Sequence, residues 1–266
     1  AHAGVLPLGV RAGVPDEAAC VDAASVLSSF DPGLAEQRLE PDALLLPECD
    51  RPVDLRRRCV VLDSSYGDLV QKSMASGLHE LSEVSGMATL SGQPVWGGGF
   101  AIKKDAAEDR WISPLEWLND CVDDERLGKV GFPYLPQLRV LSFPRGSRAL
   151  VSKRDARHYF HVLKVGPTWK QWLGQPPVRR GLKRWAPCQR AWPMGFKGSA
   201  TVASRITEKV ASDAGLPGGG RCLPGVPCPL SPPAWGAIKD DVWAIVADAP
   251  DDDNVVARGR LPAVEA

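Results

Sequence analysis

Apolar residues along this chain recur with two periods, and the period changes with position. Val70, Met74, Leu78 and Leu81 lie three to four residues apart, which predicts one helix over about 66–84. Val202, Ile206 and Val210 repeat every four residues. Ser199 before them and Gly215 after them are the residue types that start and stop helices. Asp16 followed by Val21, Ala24 and Leu27 predicts a shorter helix reaching about Phe30. Elsewhere short runs rich in strand formers are separated by polar turns. "GFAIKK", "DAAED" and "RWIS" (99–113) read as strand, turn and returning strand. "SRALVSKRD" (147–155) reads as a strand that ends in Asp155 and then turns helical. A strand ending at Pro193 leads into the glycine-bearing turn "MGFKGS". "AWGAIKDDVWAIVAD" (234–248) reads as a hairpin of two mostly apolar strands about a charged turn. Mixed periods of this kind predict an α+β protein with antiparallel strands.

Composition narrows the class. The 44% hydrophobic content excludes wholesale disorder, and 24 Pro with 26 Gly predict many loops, above all at 216–233. No run of eighteen apolar residues occurs, so no membrane span is expected, and "AHAGVLPLGV" does not read as a signal peptide. Its lack of an initiator Met suggests a fragment or processed product. Seven scattered Cys without a CxxC pair read as free thiols in a reducing, intracellular compartment. Residues 1–60 carry the least information. His79 reads as a surface histidine. His158 and His161 have a spacing a metal could use, but the sequence offers no third ligand. Gly97–Gly99 are followed by no Lys-Ser/Thr step, so they do not read as a phosphate loop.

Charge is balanced overall, 32 bases against 32 acids, yet unevenly spread. Residues 147–210 hold fourteen Lys/Arg and two acids, while 238–266 hold seven acids and three bases. A basic middle interleaved with Tyr159, Phe160, Trp169, Trp172, Trp185 and Trp192 points to a polyanion, nucleic acid first, with a solvated basic face as the plainer reading. Asp240 and Asp241 stand side by side between apolar runs, where mutual repulsion and desolvation are both costly. A divalent cation at the turn would offset that cost; so would simple solvation. Asp155 is one acid at a strand end within a basic segment, with a salt bridge to Arg154 or Arg157 as its plainer explanation.

Taken in order, these parts resemble the fingers and palm of a retroelement reverse transcriptase. "FAIKKD" with Arg110 is similar to the family's fingers segment, and "DARHYF" (155–160) to its first catalytic motif. "WPMGFKGSATVAS" (192–204) looks like its template- and nucleotide-contacting motif, and "IKDD" (238–241) like its second catalytic motif. The resemblance implies a right-hand polymerase fragment with an antiparallel palm sheet backed by helices and no thumb. Its parts would be an unassigned extension (1–60), fingers-like (61–135) and palm-like (136–250) regions, and a tail (251–266). It implies RNA-directed DNA synthesis with two Mg²⁺ or Mn²⁺ ions held by Asp155, Asp240 and Asp241. Lys103 or Lys104 with Arg110 would hold the triphosphate, Phe160 would exclude a 2′-hydroxyl, and Met194 and Gly195 would underlie the nucleotide. Primer–template and deoxynucleoside triphosphates would be the partners, in the nucleus or cytoplasm, with oligomeric state open. Ile238, Lys239, Met194 and Ala200 depart from the family's usual residues. A catalytically degenerate nucleic-acid-binding remnant and an RNA-templated RNA polymerase palm are the alternatives.

Overall fold

The structure is a computed structural model that describes residues 4–30, 32–33, 39–52, 59–128, 135–156, 158–223, 225–239 and 241–248. Among the described residues the strands are β1 (Val21–Asp22), β2 (His79–Glu83), β3 (Thr89–Leu90), β4 (Gln93–Pro94), β5 (Phe100–Lys103), β6 (Asp109–Ile112), β7 (Arg148–Asp155), β8 (Leu163–Lys164), β9 (Val178–Arg180), β10 (Lys183–Gln189), β11 (Ala234–Ile238) and β12 (Asp241–Asp248). The helices are α1 (Ala23–Ser28), α2 (Pro41–Leu44), α3 (Tyr66–Ala75), α4 (Glu116–Asp120), α5 (Asp124–Leu127), α6 (Tyr159–Val162) and α7 (Lys197–Asp213). The mixture is α+β, as the two periods predict. No helix among the described residues is long and apolar enough to cross a membrane.

Two compact units divide the chain, a larger one of Ala1–Gly128 with His158–Ala200 and a smaller one of Lys129–Arg157 with Thr201–Ala266. In the larger unit, β2, β10 and β9 form an antiparallel sheet in that order, and β5 and β6 form a separate hairpin. Leu8, Leu69, Val70, Leu78 and Trp111 are buried together. Leu8 bridges to Leu62 and Leu6 to Ala101, so part of the segment read as an unassigned extension is woven into this core. Trp169, Trp192 and Phe196 form a second aromatic centre, and the Trp169 indole N–H donates to the Leu39 carbonyl at 2.6 Å.

Three sequence expectations change here. The helix expected over 66–84 stops at Ala75, because Gly77 adopts φ +79° and redirects the chain into β2. Leu78 and Leu81 match a helical spacing only because a strand beginning beyond the helix supplies the core from the same side. His79, expected on the surface, is buried and stacked on Trp111 with ring centroids 4.8 Å apart. Trp169, Trp172 and Trp192 are buried too, so they are core residues and not exposed platforms for bases.

The smaller unit is built on a three-stranded antiparallel sheet, ordered β11, β12, β7. Alternation along β12 sends Val242 and Ala244 to one face, where they pack with Trp235, Ala211 and Leu216. Ala211 belongs to α7, which therefore backs the sheet. Trp243 points to the other face and packs with Ala234, Leu138, Leu141, Cys222 and Cys228. Burial raises the Cys222 thiol pKa to about 12. This unit therefore holds a small antiparallel sheet with α7 on one face. Ser199, expected to cap α7, lies inside it.

Candidate functional site

The register of the small sheet brings two of the three expected acids together. Asp241, the first residue of β12, is the direct partner of Asp155, the last residue of β7. Direct partners share a face with Cβ atoms about 5 Å apart, and like charges so placed repel. Asp155 is exposed, whereas the Asp241 side chain is 29% exposed. Asp241 Oδ2 accepts an ion pair from Lys153 Nζ at 3.0 Å. Its other oxygen, Oδ1, is buried and has no hydrogen-bond partner among the described residues. Lys153 lies two residues before Asp155, so it shares the acids' face and reaches Asp241 diagonally.

The turn between β11 and β12 is pinned by the helix behind it. Lys239 adopts φ +55°, a conformation uncommon for a lysine. Its N–H donates to Ser204 Oγ at 3.2 Å, and its carbonyl accepts from Thr207 Oγ1. The cation paired with Asp241 is Lys153. Asp240 lies outside the described residues.

These residues suit a hard divalent cation. Carboxylate oxygens are the donors Mg²⁺ prefers, and the ion keeps several waters, so few protein ligands are needed. Asp241 Oδ1 is the buried atom whose cost such an ion would remove. Among the described residues no group of three His, Cys, Asp or Glu is placed to hold a metal, which leaves Asp155 and Asp241 as the described part of the site.

The remaining expected residues belong to the larger unit. Lys103, Lys104 and Arg110 all lie on the β5–β6 hairpin, as read from sequence. Lys103 pairs with Asp109 and Arg110 with Ile102, which puts Lys103 and Arg110 on opposite faces. Lys104 Nζ pairs with Glu108 Oε2 at 2.5 Å. Asp105 Oδ1 accepts the N–H groups of Ala107 and Glu108, which sets the turn and lowers the Asp105 pKa. Phe160 lies on α6, half-buried and edge-on to Tyr159.

Met194 and Gly195 form the turn before α7. Gly195 has φ +116°, and a Cβ there would stand 2.3 Å from the Ser113 carbonyl oxygen, so this position requires glycine. Asn119 holds the turn from both sides: its Nδ2 donates to Gly195 O at 2.8 Å, and its Oδ1 accepts from Lys197 N–H at 2.8 Å. Neither Asn119 nor Ser113 stands out in the sequence, because each acts across about 80 residues of intervening chain. A cleft of about 660 Å³ beside this turn is lined by Asp50, Asp120 and Asp124 with Asn119 and Lys197. Three carboxylates against one lysine give this cleft a negative lining. His158 and His161 stack with ring centroids 6.0 Å apart, and Glu108 Oε1 lies 3.8 Å from His158 Nε2.

No protein-family model matches the chain, and the search of curated proteins finds no match.

Proposed function

We propose that this chain carries the fingers-like and palm-like parts of a retroelement RNA-directed DNA polymerase and performs template-directed nucleotidyl transfer. The observation that carries the proposal is the Asp155–Asp241 pair, two carboxylates opposed across one ladder with a buried Asp241 oxygen that has no hydrogen-bond partner among the described residues. Asp155, Asp240 and Asp241 would hold two Mg²⁺ or Mn²⁺ ions. When bound, such ions activate the primer 3′-oxygen and neutralise the leaving pyrophosphate.

This chain's own residues do the positioning. Ser204 and Thr207 fix the backbone of Lys239 and so set where β12 begins. Arg110, exposed on the outer face of its hairpin, and Lys103 or Lys104 would donate charge-assisted hydrogen bonds to the triphosphate. Phe160 would select a deoxynucleotide by denying room to a 2′-hydroxyl. The Met194–Gly195 turn, clamped by Asn119, would offer bare backbone beneath the nucleotide.

Lys153 favours a second reading. An ammonium at 3.0 Å from Asp241 already offsets part of the repulsion a metal would relieve, as expected of a remnant that kept its nucleic-acid surface and lost turnover. Primer extension on an RNA template with Mg²⁺ or Mn²⁺, beside Asp240→Asn/Asp241→Asn, separates the two. Synthesis that disappears in the double variant supports the polymerase. Salt-sensitive primer–template binding without synthesis supports the remnant.

A further inference from the structure

A cluster of surface charge that the proposed function leaves unused lies on the hairpin of β9 and β10 in the larger unit. Its sequence, "VRRGLKRW" (178–185), places four cations around a two-residue turn. Gly181 adopts φ +62° there, which lets the turn be tight. Lys183 is the direct partner of Arg180, and Arg184 of Arg179. Alternation therefore puts Arg180 and Lys183 on one face of the ribbon and Arg179 and Arg184 on the other. All four are exposed, and Leu182 at the tip is 107% exposed.

The neighbouring strand does not cover this tip. Pairing between β10 and β2 begins at Trp185 opposite Glu83, so Lys183 and Arg184 extend beyond it. The Arg184 guanidinium lies 5.2 Å from the centre of the Trp96 ring. Glu83 is the carboxylate that pairs with Lys183. Like charges directly opposite each other destabilise a ribbon, and here the arrangement occurs twice in succession. Protection of a sheet edge accounts for Arg179 and Arg180 on edge strand β9. It does not account for matching cations on β10.

We infer that this hairpin tip is a nucleic-acid-binding element that inserts between two phosphate backbones, in a duplex groove or at a fork. Each face presents a pair of cations to one backbone, and Leu182 leads into the space between. A two-stranded ribbon is of a size that the major groove of B-form DNA admits. Phosphates on both sides would relieve both like-charge pairs together. A membrane surface fits less well, since it would meet the cations from one side only and a single exposed leucine gives little apolar area to insert. The inference goes beyond nucleotidyl transfer and does not require it.

The test is fluorescence anisotropy of the full chain with labelled duplex, forked-duplex and single-stranded DNA over about 50–200 mM salt. Arg179→Ala/Arg180→Ala/Lys183→Ala/Arg184→Ala is expected to lower the slope of log K against log salt on duplex by about 3 to 4. Arg179→Lys/Arg180→Lys/Arg184→Lys, which keeps the charges, is expected to retain most of the slope and guards against misfolding of the alanine variant. Leu182→Ala is expected to weaken the forked duplex more than single-stranded DNA with the slope unchanged. An unchanged slope in the folded alanine variant overturns the inference. So does tighter binding to phosphatidylserine vesicles than to duplex. Asp241→Asn leaves the hairpin intact, so unchanged extension with an unaltered duplex slope would count against the polymerase reading alone.

Discussion

Two places among the described residues set like charges directly across a β-ladder, and they resolve the conflict differently. Asp155 and Asp241 meet at the end of the small sheet, where one oxygen is buried and one is taken by Lys153. Arg179, Arg180, Lys183 and Arg184 meet on a ribbon tip that is open to water. Solvent screens the cationic tip, so its cost is small and its charge stays available to a large partner. Burial removes that screening from Asp241 Oδ1, so the acidic pair gains more from one small, strongly bound cation. The same register thus suits a polyanion in one region and a metal in the other.

The acidic side of this contrast breaks most sharply at its carboxylates. Asp240→Asn/Asp241→Asn is expected to cut primer extension by roughly 10²–10³-fold or more, read by single-turnover product formation, because several kcal/mol of charge stabilisation is lost. Unchanged extension would remove the acids from the chemistry. A third set of potential like charges sharpens the comparison by avoiding charge altogether. Burial, with mutual repulsion second, lowers His79 to about 3; burial and then His158 lower His161 to about 4. Both depressed values favour the neutral ring. Their contribution to stability is full above pH 6.5 and is lost as pH falls from 6.5 toward and through the folded-state values. Denaturant melts at pH 7 and pH 5 are expected to differ by about 2 kcal/mol per histidine, and His79→Phe should shrink the difference.

Smaller effects test Lys153. Lys153→Met removes an ion pair whose lysine is mostly exposed, so global stability should change by less than about 1 kcal/mol. If Lys153 competes with metal, Mn²⁺ binding measured by paramagnetic relaxation should tighten by about 10-fold in this variant. The single substitution Arg179→Ala should have the mildest consequence, lowering the duplex salt slope by about 1.

Much of the site's framework was legible in the chain. The 234–248 alternation gave a hairpin, the 148–155 run gave a strand closing on Asp155, and the β5–β6 hairpin falls where "FAIKK" and "RWIS" place it. These elements depend on neighbours close in sequence, whose pattern is directly visible. The pairing of Asp155 with Asp241 was not legible, because register between strands about 90 residues apart is set by packing of the whole sheet. Lys153 was hidden for the same reason: its period-two relation to Asp155 is visible, but the acid it reaches belongs to another strand. Tryptophans interleaved with bases looked like a binding surface because charge and bulk alternate there, yet burial of Trp169 and Trp192 shows the rings serving the core.

Strand order has a consequence for how this protein is made. The middle strand of the small sheet, β12, emerges from the ribosome about 90 residues after β7, which has no other strand to join in that sheet. At about 5–20 residues per second, β7 waits on the order of 5–20 s while the intervening chain, His158–Ala200 of the larger unit and then the smaller unit's own residues from Thr201 on, is synthesised. Asp155 and Asp241 thus meet only as the last strand of their sheet arrives, so a ribosome stalled before β12 would display a basic strand with both edges unpaired and no acidic pair at all.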